Sequence, residues 1–291
     1  MKIFKTGLTD FDKFFGGGFV SGSAVTVCGR VGSCKSSLLT HFALQFAEQG
    51  ANVVFYSASK TRSILHALAA GAWMEKKSIA TMNGFTEDEL QRIAVFLRAF
   101  AGNPGDISFR TLVPPRTLDT IGDVSKADVV IFDVPIETDT LEVLAGEGKL
   151  VICARDTSEY GRVDPRPHIR DLPAATVSAS DVIIATHSEL VFGSDDRKIE
   201  LIVIKGRDTG VDGCLVAGIR ASCGAVFDLT TPVEIAPSPQ HQRSTAKEKR
   251  KPDSTKQFFG DVVAFFDAAE AASAQTVSTK LKLVTQPDLE P

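Results

Sequence analysis

The chain has 291 residues, 43% of them hydrophobic and 23% charged, with a formal net charge of −4, which leaves room for one large α/β domain plus an appendage. The slight acidity excludes a global nucleic-acid-binding signature, so any DNA contact has to come from local basic loops. The five cysteines, at 28, 34, 153, 214 and 223, are scattered and odd in number, which argues against a disulfide framework or metal cluster and predicts buried, reduced thiols.

In chain order, Thr6-Gly-Leu-Thr-Asp10-Phe-Asp12 opens a short amphipathic segment that a glycine cluster, Gly16 to Gly18 and then Gly22, brings to a stop. An apolar strand from Val25 to Cys28 follows. It runs into Gly29-Arg30-Val31-Gly32-Ser33-Cys34-Lys35-Ser36, and then into a helix whose Leu38, Leu39, Phe42, Ala43 and Phe46 share one face. The eight residues match the phosphate-loop pattern G-x-x-x-x-G-K-[ST] except that Cys34 replaces the second glycine. A tight turn between strand and helix points backbone N–H groups inward, and the helix N-terminus adds partial positive charge. Such a loop predicts ATP and Mg²⁺ as cofactors: Lys35 supplies a point charge at the β/γ-phosphates, Ser36 a hydroxyl for Mg²⁺, and Gly32 keeps the inner loop free of a side chain. At Cys34 a Cβ and a sulfur take up room close to the phosphates and restrict the backbone.

The Thr6-Gly…Asp12…Gly-Gly…Gly lead-in followed by this loop resembles the ATPase domain of DnaB-type replicative helicases and their RecA-like relatives. Asn52–Ser57 reads as the second strand. In that family its end carries a glutamate that polarises the attacking water; Ser59 stands there in this chain, and a serine cannot take that proton at neutral pH. Helical patterns over 61–74 and 86–101 come next, then a short strand at Ile107–Arg110, then a loop with a short helix up to Ser125.

Val129-Val-Ile-Phe-Asp133 is an apolar run ending in a carboxylate. At the C-terminal edge of a parallel sheet such an aspartate holds the water shell of Mg²⁺, so Ser36 and Asp133 are the expected metal ligands. Glu137 and Asp139 are either substitutes for the missing glutamate or a solvated acidic loop. Lys149–Ala154 is a further buried strand, followed by Arg155 and Asp156. The resemblance puts a phosphate-sensing glutamine here; Asp156 in its place repels phosphate instead of donating to it.

Residues 159–172 resemble the family's mobile loop and its D-L-R-E-S-G contact to DNA. Only Asp171-Leu172 of that motif remain, and Arg162, Arg166 and Arg170, with His168, are the candidate contacts to single-stranded DNA; a basic loop without a ligand fits them as well. Strands at Asp181–Ala185 and Lys198–Ile204 lead to Lys205-Gly-Arg207-Asp-Thr-Gly210, similar to the family's K-x-R-x-x-G. The resemblance implies that Lys205 and Arg207, with Asp133, form the catalytic set, the two cations reaching the nucleotide of a neighbouring subunit, and hence a homo-oligomer. Cys214–Ile219 and Ala225–Leu229 read as a terminal hairpin.

The expected organisation is therefore a RecA/DnaB-like P-loop domain at 1–232, a basic flexible linker at 233–256, and a C-terminal amphipathic helix and tail at 257–291. The fold class is α/β, with a mostly parallel central sheet flanked by helices, a C-terminal hairpin and a tethered helix. Four phenylalanines between Phe258 and Phe266 need burial against the core, a second subunit or a protein partner. The N-terminal domain that such helicases use to build a ring is not represented. No apolar run approaches the ~18 residues of a membrane span, and Met1-Lys-Ile-Phe-Lys-Thr-Gly has no signal-peptide pattern. A cytoplasmic protein of a bacterial or phage-infected cell with no membrane partner is expected. Two functions stay open: a nucleotide-binding, helicase-like protein of DNA replication or recombination with weak or lost hydrolysis, and an inactive scaffold of the same fold that works through protein contacts.

Overall fold

The computed structural model describes residues 1–58, 105–112, 114, 116–157, 166–188, 196–206, 213–220 and 224–229. The expected helices at 61–74 and 86–101, the linker, the C-terminal helix, Ser59, Arg162, Arg207 and Cys223 lie outside the described residues.

The described strands are β1 (Ile3–Phe4), β2 (Phe19–Val20), β3 (Ala24–Gly29), β4 (Val53–Ser57), β5 (Ile107–Thr111), β6 (Val129–Phe132), β7 (Leu150–Asp156), β8 (Val182–His187), β9 (Asp196–Lys205), β10 (Gly213–Arg220) and β11 (Ala225–Asp228). The helices are α1 (Thr9–Phe14), α2 (Lys35–Glu48), α3 (Thr138–Gly146) and α4 (Ala174–Ala179). β3 to β11 form one nine-stranded sheet in the order β11-β10-β9-β8-β3-β7-β6-β4-β5. The six strands from β8 to β5 in that order run parallel, while β9, β10 and β11 are antiparallel additions, so the expected C-terminal hairpin is present as β10 and β11.

The parallel strands are near-continuous apolar runs because both faces are covered. On one face Val25, Val27, Ile131 and Ile152 pack with Leu38, Leu39, Phe42 and Phe46 of α2. On the other, Tyr56, Val130, Phe132, Val151 and Cys153 pack with Leu141 and Leu144 of α3. Each fully buried Leu or Phe contributes roughly 1.5–3 kcal/mol, so the α2 face alone anchors the helix that carries the phosphate loop.

The lead-in has a physical role. Asp12 of α1 accepts from the Thr6 N–H and hydroxyl, both at 2.8 Å, and from the Gly7 N–H at 3.2 Å. This clamp turns the chain so that β1 pairs with β2 and Phe4, Phe11 and Phe19 meet Phe42 and Phe46 of α2. Helices α3 and α4 were not anticipated: both are too short for a helical period to stand out. The Pro-Ala-Ala-Thr stretch that departs from the DNA-contact motif enters α4, with Pro173 preceding the first turn. Of the cysteines, Cys28 and Cys153 are buried as expected, but Cys34 is half-buried and Cys214 is exposed, since β10 has one face open to solvent where Cys214 points.

Candidate nucleotide-binding site

The phosphate loop leaves the sheet at the C-terminal end of β3, where the connections diverge: β7 lies on one side of β3 and β8 on the other. In an open α/β sheet this is the position at which ligands bind. The loop is tied down from below. Ser33 Oγ lies 2.7 Å from Thr186 Oγ1 of β8, and Thr186 Oγ1 donates to the Cys28 carbonyl at 3.2 Å. Gly29 is needed for that closeness, because a Cβ there would stand 2.5 Å from Ser33 Oγ and 2.6 Å from the Thr186 carbonyl oxygen. Beneath the loop, burial pushes the Cys28 thiol up to about 12, against a smaller opposing pull from Lys35, so it stays protonated.

Cys34 caps α2 with φ 67° and ψ 19°, and is the one non-glycine residue with positive φ among the described residues. The phosphate-loop pattern asks for glycine here because the chain must turn through the left-handed region, which costs an L-residue roughly 1–2 kcal/mol. The backbone of the loop has thus been kept although the residue suited to it has been lost.

Lys35 and Ser36 begin α2. Ser36 Oγ donates to Asp133 Oδ1 at 2.7 Å. Asp133 directly follows β6, two places from β3 in the sheet, and its N–H is held by the Tyr56 carbonyl at 2.8 Å. The two expected metal ligands are therefore adjacent. Lys35 has all three of its donors engaged: Nζ reaches the Gly29 carbonyl at 2.8 Å, the Arg30 carbonyl at 2.7 Å and Asp156 Oδ1 at 2.9 Å. The lysine is 11% exposed and the aspartate 62%. Asp156 gets there because β7 runs two residues beyond the expected Ala154, pairing Asp156 with Gly29. Asp156, which stands where the resemblance implies a sensor, thus holds the lysine of the loop.

Around these groups is a cleft of about 780 Å³, lined by Gly32, Cys34, Lys35, Ser36, Asp133 and Asp156 among others. Gly32 has φ 84° and open space where a Cβ would stand, and Val31 is 87% exposed at the loop tip. Concavity, backbone donors, a cation and a Ser–Asp pair fit a nucleotide phosphate with Mg²⁺. Glu137 and Asp139 lie elsewhere: both are exposed at the start of α3 and line a neighbouring cleft.

The remaining expected site residues are not gathered at this cleft. Lys205 Nζ donates to the Val177 carbonyl at 2.8 Å and to the Ser180 carbonyl, closing the C-terminal end of α4 within its own chain. Arg166 makes a two-pronged pair with Glu200, Nε to Oε2 at 2.8 Å and Nη2 to Oε1 at 3.0 Å. Arg170 is exposed on the 3₁₀ turn Ile169–Asp171. Sequence reasoning did not single out Arg116 and Arg155, which also line the cleft; the one available signal was the charged pair Arg155-Asp156 at the end of an apolar strand.

A glycine-bearing loop from a central strand into a Lys-Ser helix, facing a strand-end aspartate across a mainly parallel sheet, defines a RecA-like P-loop ATPase fold. A family model described as the KaiC ATPase matches residues 4–87. Among solved structures, one described as an ATPase domain superposes with a TM-score of 0.66 at 15% identity, over 78% of this chain and 92% of that one. A DnaB-like replicative helicase, whose structure was described with its interactions with primase, superposes with a TM-score of 0.65 at 15% identity, over 79% of this chain. The match spans 64% of that helicase chain. No curated protein matches in sequence. The fold is the one these RecA-like ATPase domains share.

Proposed function

We propose that this chain is a helicase-like, nucleotide-binding protein of DNA replication or recombination, which binds ATP with Mg²⁺ and hydrolyses it weakly or not at all. The observation that carries this reading is the Ser36–Asp133 bond of 2.7 Å beside Lys35 at the head of α2. Bound Mg²⁺–ATP would bring the reactive phosphoanhydride; backbone N–H groups of 29–34 and Lys35 would hold its phosphates, and Ser36 and Asp133 its metal. The resemblance puts Ser59 where the family has its glutamate, and the described carboxylates of the cleft, Asp133 and Asp156, are bonded to Ser36 and Lys35. Replacement of several preorganised groups at once is expected to depress turnover steeply. Self-association and contact with single-stranded DNA through Arg162, Arg166 and Arg170 belong to the same reading, as does a role for Arg207 with Lys205 between subunits. No helix among the described residues is long and apolar enough to cross a membrane.

The test is equilibrium binding of a non-hydrolysable ATP analogue with Mg²⁺ to the wild type and to Cys34→Gly, followed by turnover with and without single-stranded DNA against Lys35→Ala as background. Micromolar binding lost in Lys35→Ala is expected. Absence of binding to both proteins would sink the nucleotide reading. One observation favours the second reading, an inactive scaffold: the Lys35 ammonium already has its full set of acceptors, one of them a carboxylate where phosphate would sit. In that case the analogue fails to bind, and deleting 236–291 abolishes self-association or partner capture.

A further inference from the structure

Among the described residues, three basic side chains line the nucleotide cleft: Lys35 at the loop, and Arg116 and Arg155 beside Asp133, Val134 and Pro135. Two of the three are committed within the fold. Lys35 has its three acceptors, one of them the Asp156 carboxylate. Arg155 Nη2 donates to the Ile136 carbonyl at 2.7 Å, and the same side chain bonds the Cys153 thiol, which is fully buried. Arg116 is held less firmly. Its Nη1 reaches the Pro135 carbonyl at 3.3 Å, longer than the roughly 2.7–3.2 Å of a well-formed N–H···O bond. That acceptor is neutral, so it steers the guanidinium and leaves its charge in place.

Arg116 comes to the cleft from the edge of the sheet. It follows β5, and the strand order is β6-β4-β5, yet it touches the loop that follows β6. The side chain therefore arrives beyond the C-terminal end of β4, where Ala58 lines the same cleft. The resemblance expects a water-polarising glutamate from that end of β4, so a cation borders the wall from which a carboxylate would act. The Pro135 carbonyl lies two residues after Asp133, a chain distance of at most ~7 Å, which puts the guanidinium next to the Ser36–Asp133 pair.

In P-loop proteins the metal bridges the last two phosphates. A cation that neighbours the metal ligands, and comes from a wall other than the phosphate loop, meets the terminal phosphate; the inner ones are cradled by backbone N–H groups. Arginine suits that place because its planar fork makes paired, charge-assisted bonds to phosphate oxygens. It also stays protonated, so it stabilises bound triphosphate without drawing a proton from water. Lys205, to which the resemblance gives a cation's duty toward a neighbour's nucleotide, is bonded to carbonyls of its own α4.

We propose that Arg116 is a specificity-determining residue of the nucleotide cleft: an own-chain cation, resting on the nucleotide reading above, that recognises the terminal phosphate of a nucleoside triphosphate and sets a preference for ATP over ADP. The test is calorimetric titration of the full chain with the non-hydrolysable ATP analogue and with ADP, both with Mg²⁺, on the wild type, Arg116→Gln and Arg116→Lys. The wild type should bind the analogue more tightly than ADP. Arg116→Gln should lose about tenfold in affinity for the analogue, the effect of one charge-assisted bond, and stay within about twofold for ADP. Arg116→Lys keeps the charge without the fork and should fall between, with a selective loss of about threefold; it carries the test if Arg116→Gln fails to fold. Tenfold dilution of the wild type should leave the preference unchanged, because the cation belongs to the chain that holds the nucleotide.

Unchanged analogue affinity in both variants would overturn the assignment, and so would an equal loss of analogue and ADP, which would make Arg116 a brace of its loop. A preference that fades on dilution would overturn it as well, by placing the discriminating cation on another chain. In each of these cases the wild type still binds nucleotide and the nucleotide reading stands. Failure of the wild type to bind either nucleotide would instead overturn that reading and this role of Arg116 with it.

Discussion

Two lysines of this fold show how the same chemistry takes on different duties. Lys35, at the head of α2, and Lys205, at the end of β9, each point an ammonium at carbonyls of their own chain. Lys205 closes a helix C-terminus, where the carbonyls have no other intrahelical partners and the dipole favours a cation. Lys35 closes a loop at a helix N-terminus, where the dipole opposes a cation, and it needs a carboxylate, Asp156, to complete its shell. One arrangement satisfies its helix outright. The other is held by an acceptor that is mostly solvent-exposed and could be exchanged for phosphate.

The largest expected effect that tests this contrast is on nucleotide. Lys35→Ala should weaken binding of the non-hydrolysable analogue about 100-fold, the loss of one or two charge-assisted bonds, while Lys205→Ala leaves it within about threefold by calorimetry. Stability should reverse the ranking. Lys205→Ala leaves the Val177 and Ser180 carbonyls short of a donor and should cost about 1–2 kcal/mol in urea unfolding. An unchanged midpoint would show that Lys205 has no structural duty and return it to a role between subunits.

The helix that carries Lys35 also carries a histidine that makes stability depend on pH. His41 donates from Nε2 to the Thr6 carbonyl at 2.9 Å, and burial pulls its value down from 6.5 to about 4. The unfolded chain therefore binds the proton first: stability is full above about pH 6.5 and falls as pH drops through the window toward 4. At ~1.4 kcal/mol per pH unit the drop from 6.5 to about 4 corresponds to roughly 3.5 kcal/mol, and partial contact with solvent brings the expected loss to the order of 2 kcal/mol. His41→Gln should flatten that part of the profile.

Substitution is the sharper tool. Asp156→Asn keeps the shape and removes the charge, and should raise analogue affinity roughly 3–10-fold, less at high salt, as screening of an exposed charge requires. No gain would mean that Asp156 is an innocent partner. The smallest effect is at Cys34: Cys34→Gly relieves a left-handed backbone and should stabilise by about 1 kcal/mol in thermal or urea unfolding.

The parts of this molecule that were readable are those written locally. The strand ending at Gly29, the Lys-Ser helix with its apolar face, the strand ending at Asp133 and the terminal hairpin depend on short-range alternation, helical spacing and turn residues, and each appears in the fold within a residue or two. The parts that were missed depend on partners far along the chain. Nothing local says that β7 continues to Asp156, because that extension is made by pairing with β3, and α3 and α4 are too short to carry a period of their own.

By itself, then, the sequence determined the class of fold and the identity of the phosphate loop, since those follow from backbone propensity, apolar period and the spacing of Gly29, Lys35 and Ser36. Tertiary structure alone decided what each charge does. Asp156 meets Lys35, Ser36 meets Asp133 and Lys205 meets the end of α4, because sheet order and register bring together residues that lie far apart along the chain. Charge pairing is a matter of a few ångströms through space, and a linear order of residues does not contain that distance until the strands have paired.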